Sequence, residues 1–172
     1  MAQYDLLVIG SGPAGQKAAV QAAKLGKKVG IVERRAVVGG VSTNTGTIPS
    51  KALREAVLYL SGFRQRNLYG AGYRLKETVT IEDLAFRANH IIKNEIEIVE
   101  DQMARNRIDL IYGEASFIDP HQILIQQAGT LVEHGAHVII IAVGTEPTRP
   151  NDIPFDGQTV IDTDGLVTLK HL

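Results

Sequence analysis

The chain has 172 residues, a formal net charge of −1, 44% hydrophobic and 22% charged residues, and no cysteine. That length allows one domain with a sizeable core, and the near-neutral balance offers no basic face to nucleic acid or a membrane surface. The lack of cysteine removes disulfides, thiolate nucleophiles and Cys-ligated metals from this chain, and no apolar run is long enough to span a bilayer. Met1-Ala2-Gln3 runs straight into an apolar segment, which leaves no room for a signal peptide and gives a cytoplasmic location as the expectation.

Tyr4-Asp5-Leu6-Leu7-Val8-Ile9 has the length and composition of a strand. It enters Gly10-Ser11-Gly12-Pro13-Ala14-Gly15, followed by a helix-compatible stretch from Gln16 to Leu25. A second apolar run, Lys28-Val29-Gly30-Ile31-Val32, ends at Glu33. Strand, glycine turn, helix, strand and acid form the dinucleotide-binding fingerprint in its required context. Gly10 allows the tight turn, Gly12 leaves the backbone open to a pyrophosphate, and Gly15 lets helix and strand pack closely. The helix start supplies free N–H groups and a partial positive charge for the diphosphate. Glu33 can accept hydrogen bonds from both ribose hydroxyls of an adenosine and repels a 2′-phosphate.

Val38-Gly39-Gly40-Val41-Ser42-Thr43-Asn44-Thr45-Gly46 is small, polar and glycine-rich, as loops are. Thr47-Ile48-Pro49 opens a helix, with Pro in the first turn, and the helix is expected to run through Leu60 towards Arg64. Thr80 as N-cap with Asp83 at N3 starts a long helix from Ile81 to about Asn106. Leu84, Ala88, Ile92, Ile96, Val99 and Met103 recur on one face of it, a stripe that marks core or subunit packing rather than a ligand box.

The period then changes. Ile108 to Tyr112 is a strand, Asp119-Pro120-His121-Gln122 a turn, and Ile123-Leu124-Ile125 and Thr130-Leu131-Val132 short strands. His137 to Val143 is apolar almost throughout, as parallel strands covered on both faces are, and stops at Gly144-Thr145-Glu146-Pro147. His134 and His137 are spaced i, i+3, but Gly135-Ala136 reads as a turn between strands, and no metal site is expected. Turn signals and a short helix occupy the rest. The fold expected is α/β: a Rossmann-like three-layer arrangement with a parallel sheet, a small antiparallel β segment and a long helical excursion.

With these motifs in this order the chain resembles the two-dinucleotide-binding flavoproteins, the pyridine nucleotide-disulfide oxidoreductase family. Four motifs carry the resemblance: Gly10 to Gly15; Glu33 with Gly39-Gly40; Ile48-Pro49-Ser50-Lys51; and Ala142-Val143-Gly144-Thr145 with Pro147. It covers essentially all of residues 1–172 and implies the N-terminal portion of an FAD-binding domain. NAD(P) would be bound by a further domain outside this chain, and the full-length protein would be a homo-oligomer, a dimer or larger.

The resemblance also implies roles. Gly10, Gly12 and Gly15 would receive the diphosphate, Glu33 the adenosine ribose, and Glu114 and Ala115 the adenine through backbone atoms, with Ser11, Pro13, Ala14 and Arg34 also cofactor-binding. Gly39, Gly40, Val41, Ser42, Gly46 and Thr47 would line the cofactor, as would Ala142, Val143, Gly144 and Thr145. Lys51, read alone as a solvated helix lysine, would be the catalytic residue, stabilising negative charge on the reduced flavin. Family members carry a redox cysteine pair at the positions of Ser42 and Thr47; a hydroxyl forms neither disulfide nor charge-transfer thiolate, which argues against disulfide reduction. Thr47 to Arg54 most resembles the transhydrogenase branch, which moves hydride between NADPH and NAD through FAD. That branch usually keeps the first cysteine, so Ser42 departs from it. Two alternatives stay open: a family reductase with a quinone or dye acceptor, and a non-catalytic dinucleotide-binding module.

Overall fold

The computed structural model describes residues 2–73, 75–167 and 169. The chain divides into two compact units, one formed by 1–41 and 95–145, the other by 42–94 and 146–172.

The first unit is built on a six-stranded sheet: β1 (Ala2–Ile9), β2 (Val29–Glu33), β3 (Asp109–Tyr112), β4 (Glu114–Asp119), β5 (Gln122–Gln127) and β6 (Thr130–Ile141). Their spatial order is β3-β2-β1-β6-β5-β4. β3, β2, β1 and β6 run parallel, with Val8 beside Ile31 and Ile140; β5 pairs antiparallel with both β6 and β4. The crossover between β1 and β2 is α1 (Pro13–Lys24).

Alternation along β1 and β2 divides the core in two. Leu6, Val8 and Ile31 pack with Ala19 and Val20 of α1 and with Val99 and Met103, which lie at the end of α5 (Ile81–Arg105). Leu7, Val32 and Ile111 pack on the opposite side with Ile123 and Ile125 of β5. The antiparallel segment therefore covers the face that α1 leaves free, giving helix, parallel sheet and antiparallel sheet as three layers. Leu7, Ile31, Ile123 and Ile125 are fully buried, each contributing about 1.5–3 kcal/mol of burial free energy.

β6 differs from the sequence expectation. The two runs read as separate strands are one twelve-residue strand, and Gly135-Ala136 lies inside it instead of forming a turn. It pairs with β5 through Gln127↔Thr130 to Gln122↔Gly135, and from His134 onward with β1 through Ala2↔His134 to Ile9↔Ile141. Pairing on both flanks outweighs the local glycine signal. The strand is also not covered on both faces: Val138 and Ile141 are 54% and 63% exposed. The turn that does form is Ala128-Gly129, both at positive φ, closing the β5–β6 hairpin.

His134 sits in the shared part of β6. It is buried, and neither ring nitrogen has a hydrogen-bond partner among the described residues; its ring centroid lies 6.1 Å from that of Tyr4. Burial disfavours the imidazolium and lowers its pKa below the ordinary 6.5. The unfolded chain therefore takes up a proton at a higher pH than the folded one. The stability contributed by neutral His134 is complete above pH 6.5 and is lost as pH falls through that value to the lower folded pKa. The urea midpoint is expected to drop between pH 7.5 and 5.5, and His134→Leu, which has nothing to protonate, should flatten that drop. An equal pH dependence in the variant would remove His134 from the acid limb.

The second unit is helical. α3 (Thr47–Leu60) contributes Ala52, Leu53 and Ala56 to a cluster with Ile81, Leu84 and Ala88 from the start of α5. α3 stops at Leu60, short of Arg64, because Ser61 caps it and Gly62 turns the chain at φ +66°. A separate short helix, α4 (Arg66–Tyr69), follows. The start of α5 has the expected Thr80 cap, closed reciprocally: Thr80 Oγ1 accepts from Asp83 N–H at 3.4 Å, and Asp83 Oδ2 accepts from Thr80 N–H at 2.9 Å. The apolar stripe of α5 is core: Leu84 and Ala88 are buried in this unit, Val99 and Met103 in the first. The expected last helix is α6 (Thr163–Val167), preceded by Asp162, which accepts from Gly165 N–H and pairs with Arg149.

Candidate functional site

The glycine turn follows β1 and opens α1. Gly10 has φ +105°, and a Cβ there would lie 2.3 Å from the Ala142 carbonyl oxygen at the end of β6. A Cβ on Gly15 would lie 2.0 Å from the Gly10 carbonyl oxygen. Both glycines are thus required by the protein's own backbone. Gly12 is different: its backbone is extended, and a Cβ there would meet nothing within 4 Å. It faces open space at the point where α1 begins.

α1 has no side-chain cap and no acidic residue in its first turn; Pro13, which lacks an N–H, stands at its start. Gln16 N–H closes the first turn on the Gly12 carbonyl at 2.9 Å. The N–H groups ahead of it have no partner within the helix and carry the positive end of its dipole. An anion seated at Gly12 finds donors and favourable charge, and a side chain would fill its place.

Glu33, at the end of β2, is only 6% exposed. A buried carboxylate needs donors, and among the described residues it has three. Ser11 N–H donates to Oε2 at 3.0 Å, the Ser11 hydroxyl donates to the same oxygen at 2.5 Å, and Arg35 N–H donates to Oε1 at 2.9 Å. The Ser11 hydroxyl also accepts from Gly39 N–H at 3.1 Å, while the Ser11 carbonyl accepts from the Gln16 amide at 2.7 Å. Gly39 and Gly40 both have positive φ, and a Cβ on Gly40 would lie 2.9 Å from Gly12 Cα. Turn, acid and glycine pair are therefore one hydrogen-bonded assembly.

A cavity of about 400 Å³ adjoins it, lined by Arg34, Arg35, Tyr112, Glu114, Gln126 and Gln127 among others, a volume in the range of small-molecule sites. The tyrosine's phenol is raised above its ordinary pKa by burial and then by Glu100 and Glu33. Arg34 and Glu114, expected at the site from the sequence, line this cavity; Tyr112, Gln126 and Gln127 line it too and were not expected, although strand register places them: Glu33 pairs with Tyr112 and Glu114 with Gln126. Ala115 packs on the core beneath. At the end of β6, Ala142 N–H donates to the Ile9 carbonyl at 2.8 Å; Val143 is exposed, and Gly144, at φ +74°, has open space where a Cβ would lie. Thr145 ends this unit.

Gly40 and Val41 begin the short helix α2 (Gly40–Asn44). Ser42, Gly46, Thr47 and Lys51 belong to the second unit. Gly46 precedes α3, and its carbonyl accepts from Ser50 N–H at 3.1 Å. Thr47 and Lys51 are exposed and Ser42 is half-buried. Between them Thr45 has a buried hydroxyl with no hydrogen-bond partner among the described residues.

The fold and this assembly define a dinucleotide-binding α/β protein. Residues 4–171 match the family model described as pyridine nucleotide-disulphide oxidoreductase, and the chain belongs to that family. It is 54% identical over 174 residues to the soluble pyridine nucleotide transhydrogenase of Mycobacterium bovis (strain BCG / Pasteur 1173P2), an alignment covering 100% of this chain and 37% of that protein. The Colwellia psychrerythraea protein of the same name is 41% identical, with 98% and 36% covered. Among solved structures, a Cu(II) complex of the HOCl-induced flavoprotein disulfide reductase RclA from Escherichia coli, in a cysteine-to-serine mutant, superposes with a TM-score of 0.80 at 27% identity, covering 100% of this chain and 36% of that one. The chain thus spans little more than a third of the length of these relatives. No helix among the described residues is long and apolar enough to cross a membrane.

Proposed function

We propose that residues 1–172 are the N-terminal portion of the FAD-binding domain of a cytoplasmic, homo-oligomeric enzyme that transfers hydride between NADPH and NAD. The observation that carries this reading is the preorganised Glu33 beside an uncapped helix start with open space at Gly12. The residues present fit an adenine dinucleotide. Gly12 and the first turn of α1 hold the diphosphate, Glu33 with Arg34 holds the ribose, and the cavity at Tyr112, Glu114 and Gln126 receives the adenine, with Ala115 behind it.

Bound FAD supplies the two-electron carrier; the protein supplies binding, orientation and charge. Lys51 is assigned the stabilisation of negative charge on the flavin, and Ser42, Gly46 and Thr47 the lining of the flavin end. These assignments, like those of Val41, Val143, Gly144 and Thr145, rest on the family resemblance. Ser42 and Thr47 carry no thiol, so this segment relays no electrons to a disulfide. That supports transhydrogenation over the disulfide reductase activity named for the RclA structure. NAD(P) is assigned to a domain beyond these residues.

The test is direct. The purified protein at its native length should be yellow, hold FAD, and carry reducing equivalents from NADPH to an NAD analogue while leaving lipoamide and glutathione disulfide untouched. A colourless protein that binds NAD but not FAD would refute the cofactor assignment, and ready disulfide reduction would refute the reaction.

A further inference from the structure

Ser11 is 1% exposed, so its side chain is turned away from solvent and into the assembly around Glu33. A hydroxyl has one proton to give, and Ser11 gives it to Glu33 Oε2 at 2.5 Å. Its own N–H takes the second position on that oxygen at 3.0 Å. Oε2 is thereby used up, and the free acceptor position of the carboxylate lies on Oε1, beside the bond from Arg35 N–H. The hydroxyl is itself fixed: it accepts from Gly39 N–H at 3.1 Å, and the Ser11 carbonyl is anchored by the Gln16 amide at 2.7 Å.

We propose that Ser11 is a positioning residue that acts on the adenosine ribose through Glu33, pinning Oε2 so that Oε1 alone is presented to the sugar hydroxyls. This rests on the reading that FAD occupies the site, and it differs from a contact between the Ser11 side chain and the diphosphate. Without the hydroxyl, Glu33 keeps its charge and one backbone donor on each oxygen, but Oε2 loses its shortest bond and regains a free acceptor position. The ribose must then be bound by a carboxylate that is held less firmly and presents both oxygens.

The test measures dissociation constants of FAD, and of an FAD analogue whose adenosine ribose lacks both hydroxyls, for the unmodified protein, Ser11→Ala and Ser11→Cys. Ser11→Ala is expected to weaken FAD roughly 5- to 20-fold, because the ribose contact is then made by a less firmly held carboxylate, and to leave analogue binding unchanged. Ser11→Cys, whose S–H is a weak donor of similar placement, should fall between, and it decides the matter by itself if Ser11→Ala does not fold. An equal loss for FAD and analogue would place the hydroxyl on the diphosphate or in the fold and overturn the proposal, as would unchanged or tighter FAD binding. Failure of the unmodified protein to bind FAD would instead refute the cofactor assignment on which the proposal rests.

Discussion

Gly15→Ala is expected to cost the protein its fold, and Gly12→Ala to cost it only its cofactor. The two positions lie three residues apart in one motif, yet their surroundings are opposite. A methyl group on Gly15 would stand 2.0 Å from the Gly10 carbonyl oxygen and 3.1 Å from Val8 Cγ1. The first neighbour is backbone and cannot rotate aside, so α1 must lift from β1. That separates Ala19 and Val20 from Leu6, Val8 and Ile31, the centre of one core cluster. Overpacking of this kind costs about 1–3 kcal/mol even where side chains give way, and here the loss of helix–strand packing adds to it. A methyl on Gly12 meets nothing within 4 Å, and φ at that residue is −68°, a value open to any residue. The urea midpoint of the cofactor-free protein should therefore fall sharply for Gly15→Ala and stay unchanged for Gly12→Ala. FAD affinity should fall by at least about tenfold for Gly12→Ala, since its methyl occupies the space for the diphosphate and each ~1.4 kcal/mol is a factor of ten. A Gly12→Ala protein that holds FAD as before would move the diphosphate away from the start of α1.

The contrast shows why this part of the chain was readable from its sequence. Each residue of Gly10 to Gly15 answers a local demand: a positive φ, a close approach, a helix start. Thr80 and Asp83 answer another, within one turn of α5. Where non-local pairing decides, the local signals misled. Gly135-Ala136 has the composition of a turn, but Tyr4 on β1 and Gln122 on β5 pair with these two residues and hold them in one strand. The apolar run of β6 has the composition of a strand covered twice, yet Val138 and Ile141 are exposed, because burial depends on what packs above the sheet and not on the strand itself. The bond between Ser11 and Glu33 spans 22 residues. It follows from the parallel register Ile9↔Val32, which brings the turn after β1 beside the end of β2. That register is implied by the fingerprint, so the contact was within reach of the sequence once the strands were set side by side. Tyr112, Gln126 and Gln127 required a second and third pairing and were not.

Glu33→Gln is expected to weaken folding and cofactor binding together, and the structure gives separate reasons for each. The carboxylate is buried and accepts three hydrogen bonds, two on Oε2 and one on Oε1. An amide of the same shape has one oxygen and one NH₂ group. If the oxygen faces Ser11, the NH₂ group meets Arg35 N–H; if it faces Arg35, the NH₂ group meets Ser11 N–H. Either orientation sets a buried donor against a donor, at a cost of about 1–3 kcal/mol to the cofactor-free protein. Binding then suffers as well, because the ribose hydroxyls lose a charged acceptor; hydrogen bonds to charged groups are worth about 1.5–3 kcal/mol, or roughly one to two orders of magnitude in FAD affinity. Stabilisation by a saturating ligand grows with its affinity, so the rise in melting temperature on adding FAD should also shrink. Glu33→Asp separates charge from reach: it stays ionised but is one methylene too short to bridge Ser11 and Arg35 while meeting the ribose. It should lose affinity nearly as far as Glu33→Gln does. If Glu33→Gln binds FAD as tightly as the unmodified protein while its own stability falls, the acid serves only to tie the turn to β2, and the ribose is held elsewhere.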